Sequence, residues 1–240
     1  MTTGQPARRP APEGAKARIQ RALKQSDLFE RAARPTRDAA IAAGEITVAP
    51  GGTALIKQGS VPDAVLLLAR GRARVERVAP DGRLMPLGYR GTGELIGEAC
   101  LALTAEHLDS TTAMEEVEYV SFPVGVMREL SAQDPELSQA VFALLLTRQR
   151  ETEDRIESLL FRNVEGRLAE FLLRAADRWG VPSPKGTLIS APITHLEIAQ
   201  SIGSTRETVT VTLGALRREG VLDVAGRRLI VCDRAALATR

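Results

Sequence analysis

Two short segments near the C-terminal end constrain this chain more than any others: Thr194-His-Leu-Glu197 and, ten residues on, Ser204-Thr-Arg-Glu207. In each, a hydroxyl residue is followed three positions later by glutamate, the pattern of a capping box. The hydroxyl accepts from the amide three residues on, and the glutamate reaches back to the cap's own amide. Gly203 stands just before the second segment. Two helix starts this close leave room for a short helix, a tight turn and a second helix. Ile198, Ala199 and Ile202 supply the inner face of the first helix, and Val209, Leu213 and Leu216 that of the second. The sequence therefore predicts a helix-turn-helix.

The second helix leaves Arg206, Glu207, Thr210, Val211 and Gly214 on its outer face. A guanidinium there can bond guanine O6 and N7, a carboxylate can accept from cytosine N4, and a valine offers only apolar contact. Arg206, Glu207, Thr210 and Val211 are thus the candidate base-reading residues, although Glu207 has an equal second reading as the far end of the cap. His195, Ser204, Thr205 and Thr208 are candidate phosphate contacts. The run Val221 to Val231, with a turn at Ala225-Gly-Arg-Arg228, reads as a small wing whose Arg227 and Arg228 can grip the DNA backbone.

Local charge agrees with a nucleic-acid partner. Residues 1–24 carry 6 Lys/Arg against 1 acid, residues 25–160 carry 14 against 21, and residues 161–240 carry 12 against 8. The net charge of +2 conceals this division, and phosphate attraction works through local charge.

Upstream, Val164 to Trp179 reads as a helix capped by Asn163, and Gly180, Pro182, Pro184 and Gly186 as a loop after it. Asp134 to Leu160 reads as one long helix ending at a break around Phe161–Asn163. Phe142, Leu145, Gln149, Thr152, Ile156 and Leu159 recur along it at alternating spacings of three and four, the seam of a coiled coil. A homodimer is the expected consequence. Between Ile46 and Phe122 lie short β-type runs: Ala54–Ile56, Ala64–Ala69, Ala73–Val78, Met85–Tyr89 and Val117–Phe122. Asp81-Gly82 marks a hairpin, and Gly59 and Gly71 mark corners. Such closely spaced strands predict an antiparallel sandwich or barrel. A helix is expected from Ala15 to about Ala33, preceded by a Pro- and Arg-rich disordered arm. The organisation predicted is an arm over 1–14, a β-domain over 15–130, a dimer helix and hinge over 131–162, and a DNA-binding domain over 163–240.

The stretch ITHLEIAQSIGSTRETVTVTLGALRREGVL resembles the winged helix-turn-helix of the cyclic-AMP receptor protein and fumarate–nitrate regulator (CRP/FNR) family. GTALIKQGSVPDAVLLLARGRARVERVAPDGRLMPLGYRGTGELIGEACL resembles the family's cyclic-nucleotide-binding β-roll, a jelly roll. GVPSPKG and IGSTRETVT are most similar to the cyanobacterial nitrogen-control branch. The resemblance implies an α+β homodimer with a β-roll, a long dimer helix and a winged helix-turn-helix, binding palindromic double-stranded DNA and working with RNA polymerase. A shift of the dimer helix and hinge would set the recognition helices near one DNA turn apart, roughly 34 Å. Arg206 and Glu207 match the cyclic-AMP receptor's first two base-reading residues. Its third, an arginine, is Val211 here, so one bidentate guanine contact of a TGTGA-like half-site is absent.

The resemblance also implies an effector pocket at Gly97, Glu98, Ala99, Cys100, His107, Arg148, Thr152 and Glu153. Glu98 would bond a ribose hydroxyl, but the arginine that pairs with the cyclic phosphate is replaced by a titratable imidazole, His107. Thr152 matches a residue on adenine, whereas Arg148 and Glu153 match the 2-oxoglutarate-binding helix residues. Neither set is complete, which disfavours cyclic AMP and leaves 2-oxoglutarate, cyclic di-GMP, another small anion, haem on Cys100 and His107, or no effector at all.

Enzyme readings fail on spacing. Gly91-Thr-Gly93 with Gly97 has one residue too many for a dinucleotide fingerprint. His195-Leu-Glu197 lacks the Pro-Cys-x-x-Cys of a zinc deaminase, and no serine lies in an elbow motif. Two cysteines cannot make a four-cysteine metal site. With no long apolar run and no secretory leader, a cytoplasmic protein with reduced thiols is expected.

Overall fold

Sheet and helix formation in the N-terminal half follow from one strand that is buried on both faces. The computed structural model describes residues 14–80, 82, 84–102, 106–191 and 193–240. Its helices open with α1 (Ala15–Lys24), α2 (Asp27–Glu30) and α3 (Arg34–Ala43). Then come β1 (Glu45–Ala49), β2 (Ala54–Ile56), β3 (Ala64–Arg70), β4 (Ala73–Val78), β5 (Leu84–Arg90), β6 (Leu95–Ile96), β7 (Ser110–Ala113) and β8 (Val117–Pro123). Two antiparallel sheets form, in the orders β1-β8-β3-β6 and β2-β7-β4-β5. Alternate residues of β3 serve different cores: Val65 and Leu67 pack with Phe29, Phe122 and Met127, whereas Leu66 and Leu68 pack with Ile56, Ile96 and Ala113. A run of adjacent apolar residues is what such a strand requires. Gly59 and Gly71 lie at corners with positive φ. Asp81 of the expected hairpin and the arm over residues 1–13 lie outside the described residues.

The single helix expected from Ala15 to Ala33 is instead α1, a break at Gln25–Ser26, and α2. Leu28 is nine residues after Ile19, about two and a half turns, so one straight helix would point them in opposite directions. Breaking at the buried Ser26, whose carbonyl accepts from the amides of Phe29 and Glu30, buries both. It also sets Phe29 against Phe122, ring centroids 5.6 Å apart.

After β8 come α4 (Val124–Gln133) and α5 (Pro135–Phe161), divided by Asp134. The Asp134 carboxylate accepts from the amides of Glu136 and Leu137 at 3.0 and 3.2 Å, capping α5, and from the amide of Ala33 at 2.8 Å. Pro135 in the first turn removes an amide that would have no helical partner.

Asn163 accepts from Gly166 at 2.8 Å and starts α6 (Val164–Trp179) where the sequence places it. The following segment is a hairpin and not the expected loop: β9 (Gly180–Ser183) pairs with β10 (Gly186–Ile189). β9 is the outer strand of its sheet, a position that tolerates Pro182 because no ladder amide is required there. Then follow α7 (His195–Ile202), α8 (Arg206–Arg218), β11 (Leu222–Ala225), β12 (Arg228–Val231) and α9 (Arg234–Ala238). The wing strands join the hairpin in the order β11-β12-β10-β9. The chain divides into two compact units, the first ending at Arg150 and the second beginning at Glu151. No helix among the described residues is long and apolar enough to cross a membrane.

Hydrogen bonds from Thr36 and from the amides of Ala33, Leu137 and Glu136 hold the Asp134 carboxyl below the usual carboxylate range. A depressed folded value stabilises above the unfolded carboxylate pKa of about 3.9 and ceases to do so as pH falls through the lower folded value. Asp134→Asn is therefore expected to lower the melting temperature by a few degrees at pH 6, with the gap to wild type closing below about pH 4. Calorimetry across pH checks this; a gap independent of pH would contradict it.

Candidate nucleic-acid interface and effector pocket

The first capping box forms as read. Thr194 Oγ1 accepts from the Glu197 amide at 3.2 Å, and Glu197 Oε2 accepts from the Thr194 amide at 2.8 Å. The second does not. Ser204 donates its amide to the Ala199 carbonyl at 2.9 Å and so helps close α7. Thr205 becomes the cap of α8, accepting from the Thr208 amide at 3.2 Å, with the Thr208 hydroxyl 3.0 Å from its own. This removes the capping reading of Glu207. It stands in the first turn of α8 outside any capping box, and neither it nor Arg206 has a side-chain hydrogen bond or ion pair among the described residues. Both are exposed, as is Val211.

Between the helices Gly203 takes the left-handed conformation, φ 61° and ψ 51°. A Cβ there would lie 3.0 Å from Leu159 Cδ2. Leu159, expected only in the dimer seam, thus also packs on this turn. The carbonyls at the end of α7 are taken by two arginines: Arg155 Nη2 donates to Ser201 O and Arg167 Nε to Ile202 O, each at 2.8 Å. Guanidiniums at a helix C-terminus satisfy open carbonyls and favour the dipole. The sequence reading missed both, because nothing local to α5 or α6 tells which arginine meets a distant helix end.

The Thr210 hydroxyl donates to Arg206 O at 2.8 Å and lies 2.9 Å from His195 Nδ1. With its proton committed to the carbonyl, the hydroxyl oxygen accepts from Nδ1–H, which links α7 to α8. Thr210 therefore differs from Arg206 and Glu207: its hydroxyl already serves the protein. Arg227 and Arg228 sit exposed at the tight connection between β11 and β12.

In the first unit, Glu98 opens a short 3-10 turn, with Oε1 3.3 Å from Arg148 Nε and 4.0 Å from Arg90 Nη2. Arg148 Nη2 also meets Glu94 Oε1 at 2.9 Å, and Glu94 Oε2 accepts from the Gly91 amide at 2.7 Å. Glu98 and Arg148 come together as the resemblance implies, and Arg90 and Glu94 are additions the sequence reading missed. A Cβ on Gly97 would lie 2.8 Å from Ile56 Cδ1 and 3.3 Å from His107 Cε1, so the imidazole packs close beside the glycine. Burial pushes His107 below the usual imidazole range against the pull of Asp63 and Asp109. Cys100, next to Ala99 in the turn, is fully buried in the helix-facing core; burial raises its thiol to about 11. Thr152 and Glu153 are exposed residues of α5 in the second unit.

Along α5 the expected seam is largely open: Phe142, Gln149, Thr152 and Ile156 are exposed, while Leu145 packs on the core of the first unit. Leu146, Leu160 and Phe161 add exposed apolar side chains to the same helix.

A β-roll in the first unit, a long helix and a winged helix-turn-helix define a DNA-binding transcription regulator with an effector-type domain. Residues 46–134 match the cyclic nucleotide-binding domain and residues 166–240 the Crp-like helix-turn-helix domain. The chain is 30% identical over 191 residues to a CRP-like cAMP-activated global transcriptional regulator of Mycobacterium tuberculosis, covering 80% of this chain and 85% of that protein. It is 32% identical over 190 residues to a global nitrogen regulator of Synechococcus elongatus, covering 78% and 85%. A solved CRP-family transcriptional regulator of Thermus thermophilus superposes with a TM-score of 0.69 at 27% identity, covering 81% of this chain and 97% of that one. The chain belongs to the CRP/FNR family of transcription regulators.

Because Thr205 and not Ser204 caps α8, Thr205→Ala is expected to cost about 1 kcal/mol in chemical denaturation and Ser204→Ala well under half of that. The reverse order would restore the Ser204 box.

Proposed function

We propose that this chain acts in the cytoplasm as a homodimer that reads a palindromic promoter site with two copies of α8 and works with RNA polymerase. The observation that carries it is the state of Arg206 and Glu207. Both are exposed in the first turn of a helix whose start is held by Thr205 and whose predecessor is closed by Arg155 and Arg167, and neither side chain is used within the described fold. Arg206 and Glu207 read base edges, Val211 adds apolar contact, and Thr205, Thr208, Ser204, His195, Arg227 and Arg228 meet phosphates. Homodimerisation uses the exposed seam of α5. It is supported by Phe142, at 64% exposure, and Ile156, at 52%, on a helix of 27 residues.

Control by a small molecule in the β-roll is the reading that the relatives' names suggest. A second reading, a regulator competent without an effector, is favoured by these residues: Glu98 already has Arg148 and Arg90 beside it, and His107 packs close beside Gly97. A cyclic phosphate would find no free arginine in the place of His107. Cyclic AMP is therefore expected to leave DNA affinity unchanged within twofold.

The test is fluorescence anisotropy of the purified chain, with nothing added, on a TGTGA-type palindrome and its scrambled control. Arg206→Ala is expected to abolish the preference between them while phosphate-driven binding remains. Equal loss on both duplexes would sink the base-reading role. Arg227→Ala with Arg228→Ala is expected to weaken binding to both and to reduce the log–log salt slope by about two, near one per phosphate contact. An unchanged slope would remove the wing from the interface.

A further inference from the structure

Outside the residues already assigned to DNA, one feature of the second unit calls for an anionic partner. An open groove of about 580 Å³ runs between the C-terminal half of α8 and the wing, lined by Gly214, Arg217, Arg218, Gly220, Leu222, Asp223 and Cys232. Its one acid, Asp223, is bonded to Lys185 Nζ at 2.6 Å. That pair cancels, so the charge left in the groove belongs to the two arginines. Arg218 is exposed and makes no hydrogen bond or ion pair among the described residues.

The periodicity of α8 gives this charge a direction. Glu207, Val211, Gly214 and Arg218 fall at successive spacings of four, three and four, a single stripe opposite the buried Val209, Leu213 and Leu216. Arg218 is thus the last member of the stripe that carries Glu207 and Val211. Helical side chains lean towards the N-terminus and cover the turn before their own, and here that turn is bare. A Cβ on Gly214 would meet nothing nearer than Arg218 Nη1, at 3.9 Å. The guanidinium lies over the glycine, at the level of the helix from which a long side chain at position 214 would itself extend.

We propose that Arg218, folded back over Gly214, is a DNA phosphate contact at the edge of the major groove, and that the absence of a side chain at 214 leaves room for both guanidinium and phosphate. The proposal rests on the DNA-binding reading above and extends it by one contact from a residue with no base-reading role. An acidic protein segment seated in the same groove is the competing occupant, and the experiment separates the two.

The salt dependence of binding is measured for wild type, Arg218→Ala, and the double variant Arg218→Ala with Gly214→Lys, on a TGTGA-type duplex and its scrambled control. Arg218→Ala is expected to reduce the log–log salt slope by about one on both duplexes, with the ratio of their affinities unchanged. Gly214→Lys returns a cation to the same stripe of α8, and is expected to restore the slope. Melting temperatures of all three should agree within a few degrees, since the positions are exposed or open. A wild-type slope in Arg218→Ala would overturn the proposal and leave the groove to an acidic partner. A reduced slope that Gly214→Lys fails to restore would overturn the positional argument. Failure of the wild type to prefer any duplex would instead count against the DNA-binding reading itself, so the two failures are distinct.

Discussion

The turn at Gly203 is the constraint on which the C-terminal unit depends. α7 must stop and α8 must start within three residues, and the reversal passes through a left-handed backbone at φ 61° that a side chain would strain against Leu159. Three further groups make the turn stable. The Ser204 amide closes α7, Arg155 and Arg167 take its terminal carbonyls, and Thr205 caps the new helix. Backbone atoms, threonine and two distant arginines do this work, and Arg206 and Glu207 take no part in it and stay exposed. Ile198 and Ile202 against Val209, Leu213 and Leu216 then bury the inner faces of both helices.

The charged residues of the β-roll are arranged on the opposite plan. Glu98, Glu94, Arg90 and Arg148 engage one another, and Arg90 is 6% exposed. Removing one partner from a buried pair leaves a charge stranded at a cost of about 3–5 kcal/mol. A ligand entering there must therefore replace what it displaces, charge for charge. Arg148 lies on α5, so any such exchange acts directly on the helix that carries the exposed seam.

How much of this was legible in the sequence depends on whether the deciding interaction is local. Val164–Trp179 was readable to the residue because Asn163 caps it within one turn. The strands of the β-roll were readable where apolar runs lie between turn residues, as at Ala64–Arg70. β9 was not, since Pro182 and Pro184 read as loop and only the neighbouring strand reveals an edge. The helix expected through Ser26 failed because its break serves the burial of Leu28 and Phe29 against a sheet about a hundred residues downstream. At the site, the exposed position of Arg206 and Glu207 on α8 was readable from helical spacing. The cap was displaced by one residue because Ser204 and Thr205 are chemically equivalent there, and the choice is made by the Ala199 carbonyl. Arg155 and Arg167, and the pairing of Glu94 with Arg148, were invisible for the same reason as the break: the partners are far away in sequence.

Two copies of α8, presented by this turn, are proposed to read DNA as a symmetric pair. The most direct test of this reading is selection by the wild-type chain, with no small molecule added, from a fully randomised double-stranded DNA pool, followed by sequencing. The account predicts a two-fold symmetric consensus whose half-sites are centred about 10–10.5 base pairs apart. Enrichment of an isolated, unpaired half-site, or of no sequence at all, would contradict it.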